Sequence, residues 1–167
     1  YLSLAGAGVK ERGLVTKLTS LRRVYHTAVN PRIKSLNYLN LILSRMEAFP
    51  AGCDEALIVD EDGDVCEAPG YNVFAVIDGV AVTPDRAILE GITRASVLEL
   101  CADLGIPSRI GRLAPYDLFT AQEAFLTSTA GGLIPVVMVD GRPVGTGGPG
   151  PVLARRMLLT GDIIEAG

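Results

Sequence analysis

The chain has 167 residues, 49% hydrophobic and 20% charged, with a formal net charge of -4 at pH 7. That balance describes one globular domain with a sizeable core and excludes a disordered, charge-rich chain. It leaves no basic footprint for nucleic acid or an anionic membrane, and no apolar run approaches the roughly 20 residues that a membrane-spanning helix needs.

Three cysteines, Cys53, Cys66 and Cys101, are widely spaced, and His26 is the only histidine. Neither a zinc site nor a Ser-His-Asp triad can be assembled from that inventory with any pattern behind it, so no metal is expected. The thiols read as the reduced cysteines of a cytoplasmic protein. His26 reads as a strand or strand-end residue. The chain opens Tyr1-Leu2-Ser3-Leu4, without a charged leader ahead of an apolar segment, and reads as though it starts partway through something longer. A mean hydropathy of +0.35 fits a surface that a partner or further domain covers.

In chain order, Leu14 to Leu21 alternates as a strand, with Arg22 and Arg23 following, and Asn30-Pro31 marks a turn. From Ser35 the period becomes helical. Leu36, Leu39, Leu43 and Met46, with Ile42 and Ala48, predict a buried stripe running to about Phe49, where Pro50-Ala51-Gly52 stops the helix. Glu55 to Val59, the acidic turn Asp60-Glu61-Asp62-Gly63-Asp64, and Val65 to Glu67 predict a hairpin. Strands flank that turn, so calcium is not expected there. Asn72 to Ile77 and Val80 to Thr83 predict a second hairpin, closed by Asp78-Gly79. Glu90-Gly91-Ile92-Thr93-Arg94 opens a helix with Val97, Leu98, Cys101 and Leu104 inward and Gly105 at its C′ position.

Pro107 to Leu113 predicts a strand, Pro115 to Ala121 a short helix, and Glu123 to Thr127 a strand. Ser128-Thr129-Ala130-Gly131-Gly132 predicts a small-residue turn. In Leu133 to Val139, Pro135 argues for an irregular or edge strand. Asp140-Gly141-Arg142 is a tight turn, and a last helix is predicted from about Pro151. Hairpin-rich strands with three principal helices predict an α/β or mixed α+β domain, and no linker or repeat divides it.

Several of these residues carry chemistry when taken together. Gly91-Ile92-Thr93 at a helix start offers free amides and a partial positive charge to an anion. Ser128-Thr129-Ala130 offers hydroxyls and unencumbered amides. Glu67 ends a strand at a turn, and Lys34 and Tyr38 flank the start of the first long helix. Singly, each is most often structural or solvated: a surface lysine, a core tyrosine, a solvated carboxylate, an ordinary helix start. As a set they match what pyridoxal phosphate requires: an amine for its aldehyde, a carboxylate for its ring nitrogen, a donor for its phenolic oxygen and a phosphate cup.

The chain resembles the class IV (fold-type IV) pyridoxal-phosphate transaminases from about Arg22 to Arg156. The resemblance is carried in collinear order by Lys34-Ser35-Leu36-Asn37-Tyr38-Leu39, Glu67 through Phe74, Asp78-Gly79-Val80, Thr83-Pro84, Leu89 through Arg94, Glu123 through Ala130, Ile134-Pro135-Val136 and Val139 through Arg142. It implies the pseudo-barrel of the family's large C-terminal domain, with pyridoxal 5'-phosphate as cofactor. It implies that Lys34 is the Schiff-base lysine and proton shuttle, with a pKa depressed by burial. Tyr38 bonds the phenolic oxygen, Glu67 pairs with the ring nitrogen, and Ile92, Thr93 and Thr129 hold the phosphate. Thr129 and Ala130 face the substrate carboxylate.

The implied reaction is a ping-pong amino transfer between an amino acid, foremost a branched-chain L-amino acid, and a 2-oxo acid such as 2-oxoglutarate. Lys-Ser-Leu-Asn-Tyr-Leu is branched-chain-like. Thr129-Ala130-Gly131-Gly132 is closer to (R)-amine transaminases. That leaves (R)-amine or D-amino acid transaminase, aminodeoxychorismate lyase and a non-catalytic cofactor-binding fragment as alternatives. Glu67-Ala68-Pro69-Gly70-Tyr71-Asn72 departs from the usual Glu-Gly-x-x-x-Asn. Residues 1–167 are expected to form a single cofactor-binding domain without the family's N-terminal small domain, and the enzyme to be a homodimer or larger homo-oligomer.

Overall fold

The structure is a computed structural model and describes residues 8–151. A short helix α1 (Val9–Arg12) precedes β1 (Leu14–Arg22), and an irregular loop leads to α2 (Leu39–Ala48) and a 3-10 turn at Phe49–Ala51. Then come β2 (Glu55–Val59), β3 (Val65–Ala68), β4 (Tyr71–Ile77), β5 (Val80–Thr83), α3 (Ile92–Asp103), β6 (Ser108–Ile110), α4 (Pro115–Thr120), β7 (Glu123–Ser128), β8 (Gly132–Val139) and β9 (Arg142–Pro143). The helix predicted from Pro151 lies outside the described residues beyond its first position.

The strands form one mixed sheet in the order β3-β2-β1-β8-β7-β4-β5-β6, with β9 on β8. Because β3 also pairs with β4, six of the strands close a ring, the expected pseudo-barrel in an α/β fold. Period-two alternation decides what fills it. Val73 and Ala75 of β4 and Leu126 of β7 point into one cluster with Leu57, Ile134 and Leu118. Their neighbours Phe74, Val76 and Phe125 point the other way, onto Val97 and Cys101 of α3. Phe74 and Phe125 stack with ring centroids 5.0 Å apart. Asp78 (φ 50°) and Gly79 (φ 76°) make the tight turn between β4 and β5, with Ile77 opposite Val80.

Four expectations are corrected. First, α2 begins at Leu39 and buries Leu41, Ser44 and Ala48, not the stripe with Leu36, Leu39, Ile42, Leu43 and Met46, which is exposed. The burial still follows helical spacing, but it is the narrower face with the small Ser44 and Ala48 that lies against β1 and β2. Second, of the two positions expected for Pro135 the edge one fails, because Pro135 is buried in β8 between β7 and β1, while the irregular one holds, since the β1–β8 register shifts just after it. Pairing with β1 starts only at Val136, so that side of the strand does not call on the missing amide at Pro135. Third, β6 is only Ser108–Ile110 and exposed, pairing with β5 alone. Fourth, His26 lies in a turn beyond the end of β1, stacked on Tyr25 and 4.0 Å from Glu61.

The acidic turn between β2 and β3 is a hairpin held by its own side chains. Asp60 accepts from the amides of Asp62 and Asp64, and Asp64 accepts from Arg112 (2.6 Å) and Arg86 (3.1 Å). The Arg112 guanidinium, with Arg86, holds the Asp64 carboxyl below the usual carboxylate range. A lowered folded-state pKa adds stability above the unfolded pKa of about 4, and that stability is lost as pH falls through the folded value. Asp64→Asn is therefore expected to flatten the fall of the thermal midpoint below about pH 4, a change that a pH series of melting curves reads directly.

Candidate functional site

Lys34 lies in the loop between β1 and α2, which is folded by its own short bonds. The Arg32 amide donates to Asn30 Oδ1 (3.0 Å), the Ile33 amide to the Asn30 carbonyl (3.0 Å), and the Ser35 amide to the Ile33 carbonyl (2.7 Å). Asn40 ties the base of the loop together, donating to the Arg22 carbonyl (2.9 Å) and accepting from the Val24 amide (3.3 Å). Across the loop, Arg32 and Glu90 form an exposed ion pair at 2.9 Å, linking the lysine loop to the approach to α3.

The opposite wall is a row of side chains across three strands. Glu67 on β3 lies opposite Asn72 on β4, which lies opposite Thr127 on β7, so all three share one face of the sheet. A β-bulge puts Glu67 there. Ile58 pairs with Glu67 but Val59 pairs with Val65, so Cys66 is the extra residue. Without it, alternation from the inward Val65 would turn Glu67 into the barrel. The Cys66 thiol itself is buried, bonded to the Ile58 carbonyl, and burial pushes its pKa well up, so it is inert packing.

Glu67 is buried and fully engaged. Oε1 accepts from Arg23 Nε at 2.7 Å, and Oε2 accepts from the Leu89 amide at 2.9 Å. Burial raises its pKa, opposed by the Arg23 charge and the Leu89 N–H. Asn72 donates to the Leu89 carbonyl at 2.7 Å. Between them, Glu67 and Asn72 grip both polar groups of one residue and so set where α3 begins. Gly91, the N-cap, packs against the Asn72 amide so closely that an added Cβ would stand 2.3 Å from Oδ1. No side chain caps α3, which leaves its first-turn amides facing outward. Arg94, buried in that first turn, donates to the Thr83 hydroxyl and the Pro84 carbonyl.

These walls enclose a cavity of about 440 Å³ lined by Lys34, Tyr38, Glu67, Ile92, Thr93 and Thr129. Thus six of the seven residues singled out from sequence meet in one place. Ala130 follows on the turn, exposed and outside the lining. Lys34 is exposed at the cavity rim among the described residues. Asn72, Arg23 and Thr127 line the same cavity and were not singled out. Asn72 had a usable signal, an amide in an apolar strand a few residues after Glu67.

The cavity lining combines two kinds of chemistry. A buried carboxylate held by a guanidinium is one of them. The helix amides and the Ser128-Thr129 turn, which present donors to an anion, are the other, and the rim carries a primary amine. Among the described residues no group of three or more His, Cys, Asp or Glu comes together as a metal site, and no helix is long and apolar enough to cross a membrane.

Known proteins resemble the chain over this same extent. The family model described as amino-transferase class IV matches residues 6–139. A branched-chain-amino-acid aminotransferase of Pseudomonas aeruginosa is 35% identical over 162 residues, which is 96% of this chain and 53% of that protein. The crystal structure of an Escherichia coli branched-chain amino acid aminotransferase superposes with a TM-score of 0.91 at 36% identity, covering 95% of this chain and 53% of that one. A T.th. branched-chain amino acid aminotransferase with pyridoxamine 5'-phosphate gives a TM-score of 0.88 at 39% identity, over 95% of this chain and 52% of that one. The chain spans about half the length of the curated relatives it matches. A family match over most of the chain, on a barrel whose cavity gathers the motif residues, makes this chain a member of the class IV aminotransferases.

Proposed function

We propose that the chain is the cofactor-binding domain of a pyridoxal 5'-phosphate-dependent transaminase. It moves an amino group, in ping-pong fashion, between a branched-chain L-amino acid and a 2-oxo acid such as 2-oxoglutarate. The observation that carries this reading is the convergence of Lys34, Tyr38, Glu67, Ile92, Thr93 and Thr129 on one cavity. The donor set fits the cofactor. A carboxylate and a set of anion-binding amides line one cavity, and Gly91 lets the backbone approach where a Cβ would strike Asn72.

Bound pyridoxal phosphate supplies an electron sink conjugated to the substrate α-carbon. The chain's residues do the rest. Lys34 would hold the cofactor through Nζ and, once Nζ is freed as a neutral amine by the incoming substrate amine, would carry the proton to and from the α-carbon. Tyr38 donates to the phenolic oxygen. Glu67, kept anionic by Arg23 against the cost of burial, accepts from the ring nitrogen. The amides of Ile92 and Thr93, with Thr129, hold the phosphate, and the Thr129-Ala130 amides take the substrate carboxylate.

The exposure of Lys34 supports a second element of the proposal: a smaller N-terminal domain closes the pocket in the working enzyme, a cytoplasmic homodimer or larger homo-oligomer. Relatives about twice as long and the exposed apolar face of α2 support it as well. The 167-residue chain alone is then expected to turn over weakly or not at all. The complete enzyme, offered L-leucine, D-alanine and an (R)-arylamine with 2-oxoglutarate, is expected to form the oxo product from L-leucine. Product from only the other two would overturn the branched-chain assignment.

A further inference from the structure

The Thr127 hydroxyl is the one buried side-chain polar atom without a hydrogen-bond partner among the described residues. Thr127 is 1% exposed. A hydroxyl offers a rotatable donor and two acceptor sites, and burying it unpaired costs stability, so a strand this well packed is expected to hold valine there unless the hydroxyl has work to do. Its place in the sheet says what that work is. Thr127 lines the cavity, directly across from Asn72, whose amide is packed against Gly91 at the start of α3. The hydroxyl therefore stands on the same sheet face as the residue that abuts the uncapped end of a 12-residue helix.

Two independent observations thus meet. The α3 amides have no capping side chain, and the neighbouring buried hydroxyl has no partner. Both can act as donors. An oxyanion satisfies all of them at once.

We propose that Thr127 is the buried donor of this anion site, its hydroxyl bonding to an oxygen of the phosphate group held at the amino end of α3. The proposal rests on the cofactor reading for the identity of the ligand, and it adds a contact beyond Ile92, Thr93 and Thr129. Its signature is a trade. The hydroxyl weakens the empty fold and strengthens the loaded one.

The test uses the full chain with Thr127→Val, which keeps the shape and removes the hydroxyl, and Thr127→Ser, which keeps the hydroxyl. Equilibrium dialysis measures affinity for pyridoxal 5'-phosphate, for inorganic phosphate and for pyridoxal, which lacks the phosphate; melting curves are recorded without ligand. Thr127→Val is expected to lose about 10- to 100-fold in affinity for pyridoxal phosphate, the usual effect of one charge-assisted bond. It is also expected to weaken inorganic phosphate, leave pyridoxal unchanged and melt at or above the wild-type temperature. Thr127→Ser is expected to retain wild-type affinity within about threefold.

Unchanged pyridoxal phosphate affinity in Thr127→Val overturns the proposal, and so does an equal loss for pyridoxal, because the hydroxyl would then serve the ring. A lower ligand-free melting temperature in Thr127→Val overturns the trade and makes the residue structural. If the wild type binds inorganic phosphate in a Thr127-dependent way but not pyridoxal phosphate, the anion site stands and the cofactor reading falls. Binding of neither ligand removes both.

Discussion

Replacing Arg23 by leucine is expected to cost about 3–5 kcal/mol of folding stability, the usual penalty for stranding one partner of a buried ion pair. The Arg23 and Glu67 side chains are 10% and 6% exposed, so water does little to screen the stranded carboxylate. Domains of this kind carry only about 5–15 kcal/mol in total, so the variant should unfold at markedly lower urea. The double variant Arg23→Leu with Glu67→Leu removes both charges and is expected to recover most of the loss, since a packed apolar pair often replaces a buried ion pair without cost. It should not recover cofactor affinity, which needs the carboxylate. A double-mutant cycle by urea denaturation, with cofactor binding in parallel, separates the two roles. If the single variant is as stable as wild type, Glu67 is not held by Arg23 in the way the 2.7 Å contact describes.

Lys34→Ala is expected to behave in the opposite manner. Lys34 is exposed and its amine makes no hydrogen bond or ion pair among the described residues, so stability should change by no more than about 0.5 kcal/mol. In the complete enzyme, amino transfer should fall by at least the roughly 10²- to 10⁴-fold that a positioned general base contributes, with an added loss from the missing covalent hold on the cofactor. Stability intact with activity gone is the mark of a residue whose purpose is chemical. The reverse pattern would return Lys34 to the role of an ordinary surface lysine.

Much of the fold was legible because alternation and turn chemistry act locally. The β4–β5 hairpin could be read from Val-Phe-Ala-Val-Ile, Asp-Gly and Val-Ala-Val, since only residues tolerant of positive φ close so short a turn. Gly105 at φ 64° ends α3 for the same kind of reason. What escaped depended on neighbours distant in sequence. The apolar positions of α2 are periodic, yet which face is buried follows from where the small Ser44 and Ala48 meet the sheet. Pro135 reads as an irregular or edge position, and only the register decides for the irregular one, since β8 is an inner strand whose pairing with β1 shifts just after it.

The candidate site shows the same division. Its residue types were readable from motifs, and Lys34, Tyr38, Glu67, Ile92, Thr93 and Thr129 do share a cavity. The devices that aim them were not. Cys66 looks like an ordinary strand residue, but as a bulge it turns Glu67 out of the barrel. Arg23 is one of two adjacent arginines, and nothing local says which of them folds onto a carboxylate 44 positions away. Thr127 becomes visible only when the strands are laid side by side. Lys34 is exposed among residues 8–151, and the burial expected of it beside the cofactor depends on groups beyond them.

The central claim is that Lys34 is the amine that holds pyridoxal phosphate in the cavity facing Glu67 and the start of α3. Mixing the chain with the cofactor, reducing with borohydride and mapping the labelled peptide tests it directly. A single stoichiometric label on Lys34, absent from Lys34→Ala and reduced in Thr127→Val at limiting cofactor, is the expected result. Label spread over Lys10 and Lys17, or stoichiometric label that persists in Lys34→Ala, would contradict it.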